Sequence, residues 1–71
     1  MRYVYVILHE MWKDGVFVSA INFTDCYTAY EQARKFIFSK GGDTSLTPYL
    51  FTNDKGSVYK INVLVMKEDK Q

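Results

Sequence analysis

The sequence predicts an α+β fold, in which a four-stranded antiparallel sheet (ββαββ) carries one helix packed on one face. Two turn signals, Asp14-Gly15 and the segment 53–56, each lie between runs rich in β-branched and aromatic residues. One stripe of apolar residues at helical spacing lies between these two hairpins. A chain of 71 residues is predicted to form a single domain, 1–71. The predicted strands are about 2–12, 16–23, 46–53 and 57–66, and the predicted helix is about 25–40.

The first hairpin is predicted from Asp14 and Gly15, which suit a two-residue type I′ turn because both positions need a positive φ. That turn sets the expected cross-strand pairs, namely Lys13 with Val16, Trp12 with Phe17, Glu10 with Ser19, Leu8 with Ile21 and Val6 with Phe23. Residues that lie directly opposite one another share a face, so the even positions of the first strand are expected on one face and the odd positions on the other.

The helix is predicted from the segment that follows. Thr24 can act as its N-cap, and Asp25 suits the first turn near the positive end of the helix dipole. The apolar residues at helical spacing are Cys26, Ala29, Tyr30, Ala33, Phe36 and Ile37. The segment Lys40-Gly41-Gly42 is expected to end the helix, with a glycine as its C-terminal cap.

The second hairpin is predicted from the segment 53–56, which suits a type I turn closed by Gly56 in the left-handed region. The expected pairs are Asn53 with Ser57, Phe51 with Tyr59, Tyr49 with Ile61 and Thr47 with Val63. Pro48 has no N–H to donate to a ladder, so its strand is expected at an edge of the sheet.

One helix covers one face, so the apolar residues must divide between a covered and an open face. The covered face is predicted to carry Val4, Val6, Leu8, Phe17, Ile21, Phe23, Tyr49, Phe51, Tyr59, Ile61, Val63 and Val65. The core is predicted to centre on Val6, Leu8, Phe23, Ala33, Phe36, Ile61 and Val63. The open face is predicted to carry Leu50 and Val58 together with the interface residues Tyr3, Tyr5, Ile7, His9, Met11, Val16, Val18, Leu64 and Met66. Monomers seldom expose apolar patches of this extent, so we expect an interface. The alternatives are that the loop 40–47 or the C-terminal tail folds over this face, or that its tyrosine and methionine side chains tolerate water.

Several classes of chemistry have no candidate residues here. His9 is the only histidine, so a zinc site with several histidine ligands is excluded, and Cys26 is expected as a small buried residue of the helix stripe. The glycines at 41 and 42 lack the lysine and the strand-loop-helix setting of a phosphate-binding loop. We therefore expect no enzyme activity, no catalytic residue, no metal and no cofactor.

Charge and composition narrow the expected location and partners. The net charge is +1, with nine basic residues interleaved with eight acidic ones, which argues against a basic nucleic-acid-binding arm. A single cysteine cannot form an internal disulfide. No apolar run reaches the ~20 residues that a membrane-spanning helix needs, and the N-terminal residues lack a signal-peptide pattern. We expect a cytoplasmic protein with no membrane partner.

Two resemblances bear on function. The segments "RYVYVILHE", "FTDCYTAYEQARKF" and "FTNDKGSVYKINV" occur in an order of elements that resembles small phage-encoded inhibitors of the anti-CRISPR type. This resemblance implies a non-enzymatic module that blocks a host defence complex by stoichiometric binding in the host cytoplasm, and it transfers no functional residue. The strand followed by "FTDCYTAYEQA" is similar to the small arm-binding domains of some integrases, which implies nucleic-acid binding. We expect a protein partner, with a homodimer as one form, and keep a nucleic-acid-binding module that uses the sheet face and the helix as the alternative.

Overall fold

A computed structural model of the chain describes residues 2–22 and 26–66. Its elements in chain order are β1 (Arg2–Lys13), β2 (Val16–Asn22), α1 (Tyr30–Lys40), β3 (Thr44–Thr47), β4 (Leu50–Thr52) and β5 (Ser57–Met66). The strands form one antiparallel sheet in the order β2-β1-β5-β4-β3, and α1 packs on one face of it. The predicted α+β class is confirmed, but the sheet has five strands and not four.

The first hairpin turns at the expected place. Asp14 and Gly15 have φ values of 51° and 77°, as a type I′ turn requires. The pairs Lys13 with Val16 and Trp12 with Phe17 are also confirmed. Beyond them a β-bulge shifts the ladder by one residue.

The bulge changes every later pair of this hairpin. It lies between Met11 and Trp12 and leaves one extra residue on β2. Leu8 consequently lies opposite Asn22, and the predicted pairing of Leu8 with Ile21 is wrong. For the same reason Glu10 lies opposite Ala20 and not Ser19. The predicted partner of Val6, Phe23, lies outside the described residues.

The predicted strand 46–53 is divided into β3 and β4. Pro48 and Tyr49 form a turn between them, and Thr47 pairs with Leu50 and not with Val63 as predicted. Proline explains the division, because it cannot donate to a ladder and it restricts the residue before it. Of these two strands only β3 lies at an edge of the sheet, whereas β4 pairs with β5 through the predicted match of Phe51 with Tyr59.

The helix begins later than predicted, at Tyr30 and not near residue 25. Ala29 is its N-cap in extended conformation, and Tyr27 pairs instead with Tyr5 of β1 through two backbone hydrogen bonds of 2.8 and 3.0 Å. Cys26 is therefore exposed, and its predicted place on a buried stripe is wrong. The predicted N-cap Thr24 and the predicted first-turn residue Asp25 lie outside the described residues. The end of the helix is as predicted, with Gly41 at a φ of 109°.

The core lies between α1 and the middle of the sheet. Its buried hydrophobic residues are Ile7, Ala33, Ile37, Phe51, Tyr59 and Ile61. The predicted core is confirmed for Ala33 and Ile61, and Phe36 packs against the core while half-buried. Val63 is 41% exposed, and the predicted Phe23 lies outside the described residues.

The prediction placed the wrong face of β1 under the helix. The ladder between β1 and β5 pairs Ile7 with Ile61, so the odd positions of β1 face α1 and the even positions face away from it. Val4, Val6 and Leu8 therefore lie on the face opposite the helix and not in the core. The internal pattern of each hairpin could not reveal this, because only the register between the hairpins decides which faces coincide.

Candidate interaction surface

The residues predicted as an interface do not share one face. Ile7 is fully buried, and Tyr5 packs against the core under α1. His9 stacks on Tyr59 with ring centroids 4.3 Å apart, and Met11 accepts a hydrogen bond from Ser57 Oγ at 3.3 Å. Their predicted place on an open face is therefore wrong.

The remaining members of that predicted set are exposed or undescribed. Tyr3 and Val16 are exposed but lie on the helix side of the sheet, where they pair with Val65 and Lys13. Val18 is exposed at the bulge. Leu64 does lie on the face opposite the helix, whereas the side chain of Met66 lies outside the described residues.

The face opposite α1 is called the open face below. Its apolar residues are Val4, Val6, Leu8, Trp12, Phe17, Leu50, Val58 and Leu64. No described element covers this face, and residues 44–47 are hydrogen-bonded into the sheet as β3 and do not fold over it. Trp12, Phe17 and Leu64 are 38%, 49% and 47% exposed, while the three even aliphatic residues of β1 are half-buried by their neighbours.

The charges near the middle of the open face neutralise one another. Lys60 Nζ lies 3.1 Å from Glu10 Oε2, and Trp12 Nε1 donates to Glu10 Oε1 at 3.0 Å. The hydrogen bond from Trp12, followed by that from Lys60, lowers the pKa of Glu10. The carboxylate therefore stays ionised and partnered, and this region has no net charge.

Strand β2 lies at one edge of the sheet and is exposed along its whole length. Val16, Val18 and Ile21 are 63%, 60% and 59% exposed, and β2 contains no charged residue and no proline. The opposite edge differs, because β3 has only four residues and is followed directly by Pro48. Short edges and prolines discourage the addition of another strand, so only the β2 edge lacks both of these devices.

A cleft of about 440 Å³ lies where the end of α1 meets the turn of the second hairpin. It is lined by His9, Met11, Lys40, Gly41, Asp43, Asn53, Asp54, Lys55, Ser57 and Tyr59. Burial lowers the pKa of His9, which favours the neutral imidazole.

Two polar side chains of the cleft, Tyr59 and Asn53, anchor the end of the helix. Tyr59 donates its hydroxyl proton to the carbonyl of Lys40 at 3.1 Å, and Asn53 Nδ2 donates to the carbonyl of Gly41 at 3.2 Å. Asn53 Oδ1 accepts from the backbone N–H groups of Lys55 and Ser57 at 2.9 and 3.1 Å. The bonds from Tyr59 and Asn53 satisfy carbonyls at the helix C-terminus that would otherwise need water, and the bonds to Asn53 Oδ1 hold the hairpin turn, so these two side chains have a structural role.

No group of three or more His, Cys, Asp or Glu side chains able to hold a metal ion occurs among residues 2–22 and 26–66. Within the same residues no helix has the length and apolarity needed to cross a membrane. Comparison of the chain with models of protein families, with curated proteins and with solved structures finds no match.

Reasoning from the sequence assigned Trp12 and Phe17 to one face correctly but did not propose them as binding residues. They lie edge-to-face with ring centroids 5.7 Å apart, and both belong to the open face. The Asp14-Gly15 turn predicted that these two residues lie opposite each other. The sequence did not reveal that the helix packs on the other face.

Proposed function

We propose that this chain is a non-enzymatic protein-binding module and that its open face is the binding surface. One observation carries the proposal: an apolar face of a five-stranded sheet has no second layer among the described residues. A sheet normally buries its apolar face against another layer, and contiguous exposed apolar surface is a common mark of a protein interface. Tryptophan and phenylalanine are also enriched at such interfaces.

The charge distribution favours a protein over a nucleic acid. Glu10 and Lys60 form an ion pair on the open face, which leaves phosphate groups no free cation at that point. On the helix, Arg34 lies 3.6 Å from Glu31 and stacks over the ring of Phe38 at 4.8 Å. A nucleic-acid footprint normally clusters basic residues on one face, and these residues are separated and partnered.

The resemblance to small phage-encoded inhibitors narrows the proposal further. The partner is then a component of a host complex, and the chain blocks that complex by occupying one of its surfaces. An apolar and locally neutral face suits this role, because its affinity depends on buried area and shape and little on salt.

Two adjacent residues provide a matched test. Leu64 lies on the open face and Val65 on the helix side, and they are 47% and 52% exposed. Leu64→Glu and Val65→Glu therefore add the same charge at almost the same place and exposure, but on opposite faces. Immobilised wild type and both variants are incubated with host lysate at low and at high salt.

The proposal expects proteins that wild type and Val65→Glu retain at both salt concentrations and that Leu64→Glu loses. Equal retention by both variants contradicts a role of the open face. Retention of nucleic acid alone, lost at high salt, supports the nucleic-acid-binding alternative, because phosphate contacts weaken steeply with ionic strength.

A further inference from the structure

We infer that the open face binds a second copy of this chain, so that two sheets stack face to face in a symmetric dimer. The inference rests on the proposed function, since it keeps the open face as a protein-binding surface and names a second copy, in competition with a host component, as its occupant. Three properties of the open face favour a second copy as the partner: its area, its charge and the twist of its sheet.

The area of the open face is sufficient for a stable dimer. The molecule measures 51 × 21 × 18 Å, and the open face is one side of its sheet. The two largest of these dimensions limit such a face to roughly 1,000 Å², which leaves room for the about 800 Å² that a standard interface takes from each partner. The edge of β2 alone, with seven residues, offers less, so the face and not the edge is the stronger candidate.

The charges near the middle of the open face do not repel a second copy. A two-fold axis brings identical patches together, so a patch with a net charge would repel its copy. On this face the ion pair of Glu10 with Lys60 cancels its own charge, and the indole N–H of Trp12 is already bonded to the same carboxylate. A second copy therefore leaves none of these three groups without a partner.

The geometry of sheets provides the third argument. Two sheets with the same right-handed twist pack well at about 30° with ~10 Å between them, and two copies of one sheet necessarily share that twist. Stacking would cover the half-buried Val4, Val6 and Leu8, which no described element covers in the monomer. The dimer would thus complete a second core beside the small one under α1.

The test is the oligomeric state of wild type, Leu64→Glu and Val65→Glu, measured by analytical ultracentrifugation over a range of concentrations. Wild type and Val65→Glu are expected to form dimers whose melting temperature rises with protein concentration. Leu64→Glu is expected to raise the dimer dissociation constant by about tenfold or more, because its carboxylate would lose its water against an apolar surface.

A second matched pair of variants keeps the test informative if one variant of the first pair fails to fold. Phe17 and Ile21 both belong to β2 and are 49% and 59% exposed, but Phe17 lies on the open face and Ile21 on the helix side. Phe17→Glu is expected to weaken the dimer and Ile21→Glu to leave it unchanged. Circular dichroism confirms that each variant is folded.

The inference is overturned if wild type is monomeric at every concentration, or if the two members of each pair weaken the dimer equally. A monomer that still retains Leu64-dependent lysate proteins overturns the inference and leaves the proposed function intact. A dimer that depends on Leu64 but retains no lysate protein supports the inference and overturns the binding of a host target.

Discussion

The two faces of the sheet carry similar side chains but differ in burial at the middle of the sheet. On the helix side, Ile7 and Ile61 are 0% and 4% exposed. On the open face, the adjacent Val6 and Leu8 are only half-buried, and Leu64 is 47% exposed. The apolar pattern of a strand therefore indicates which residues share a face, while the burial of that face depends on whether a second layer packs on it.

The helix packs over only part of its own side of the sheet. Tyr30 donates its hydroxyl proton to the carbonyl of Pro48, Phe38 meets Phe51 edge-to-face at 6.0 Å, and Tyr59 bonds the carbonyl of Lys40. All of these contacts lie toward β3, β4 and β5. Strand β2, at the other edge, is exposed on both of its faces.

The largest expected effect comes from truncating adjacent residues on opposite faces. Ile7→Ala should lower the free energy of unfolding by roughly 2–5 kcal/mol, because it leaves a cavity in the core under α1. Leu8→Ala should cost clearly less at concentrations where the chain is monomeric, because Leu8 is only half-buried. Urea denaturation of both variants measures the difference. Equal losses would mean that the open face is covered in the monomer.

A smaller effect is expected where the helix side is packed most closely. A Cβ at Gly42 would lie 2.5 Å from Ile37 Cγ2 and 2.8 Å from Tyr59 Cδ1. Gly42→Ala should therefore destabilise the fold by about 1–3 kcal/mol through overpacking. Gly15→Asn is the control, since a Cβ at Gly15 meets nothing within 4 Å and asparagine tolerates its positive φ. Thermal unfolding compares the two, and equal stability would show that the end of α1 is loosely packed.

Acidic pH should lower the stability of the fold through His9, which lies on the face that the helix covers. Because burial lowers the pKa of His9, the folded state prefers the neutral ring, and stability is lost as the pH falls from about 6.5 through the lowered value. His9→Phe keeps a ring against Tyr59 and removes the titration. Melting temperatures of the variant are therefore expected to be flat between neutral and mildly acidic pH, where those of wild type fall. An unchanged slope would assign the dependence to another group.

The smallest effect is expected for the charge on the open face. The pKa of Glu10 is lowered by its bonds to Trp12 and Lys60, so its contribution is present at neutral pH and is lost as the pH falls below its ordinary value. Glu10→Gln keeps a hydrogen-bond acceptor for Trp12 and should barely change the melting temperature at neutral pH, at concentrations where the chain is monomeric. A large loss would mean that the ion pair is covered by a second layer.

The local elements were predictable because their signals lie within a few residues. Asp14, Gly15 and Gly41 adopt the positive φ values that their turns and cap require. The bulge opposite Trp12 and the turn at Pro48 were missed, although Pro48 already argued against a continuous interior strand. The late start of α1 was missed because Tyr27 pairs with Tyr5, a contact between residues far apart in the chain.

The candidate site was predicted in kind but not in residues. An apolar face without a helix was expected and is present, yet of the predicted interface residues with described side chains only Leu64 lies on it. The error has one source: the two hairpins were combined with the wrong faces together. The residues that now define the site, Trp12 and Phe17 above all, belong to the face that was assigned to the core.

By itself the sequence determined which residues alternate along each strand, where the first hairpin turns and where the helix ends. These features depend on backbone preferences and on a period of two, both of which are local. Tertiary structure alone decided that Ile7 pairs with Ile61 and that α1 covers the odd positions of β1. Both faces of β1 carry enough apolar residues to form a core, so the strand by itself does not favour the burial of either face. The choice between them is made only when β5 docks beside β1 and the helix closes over one side.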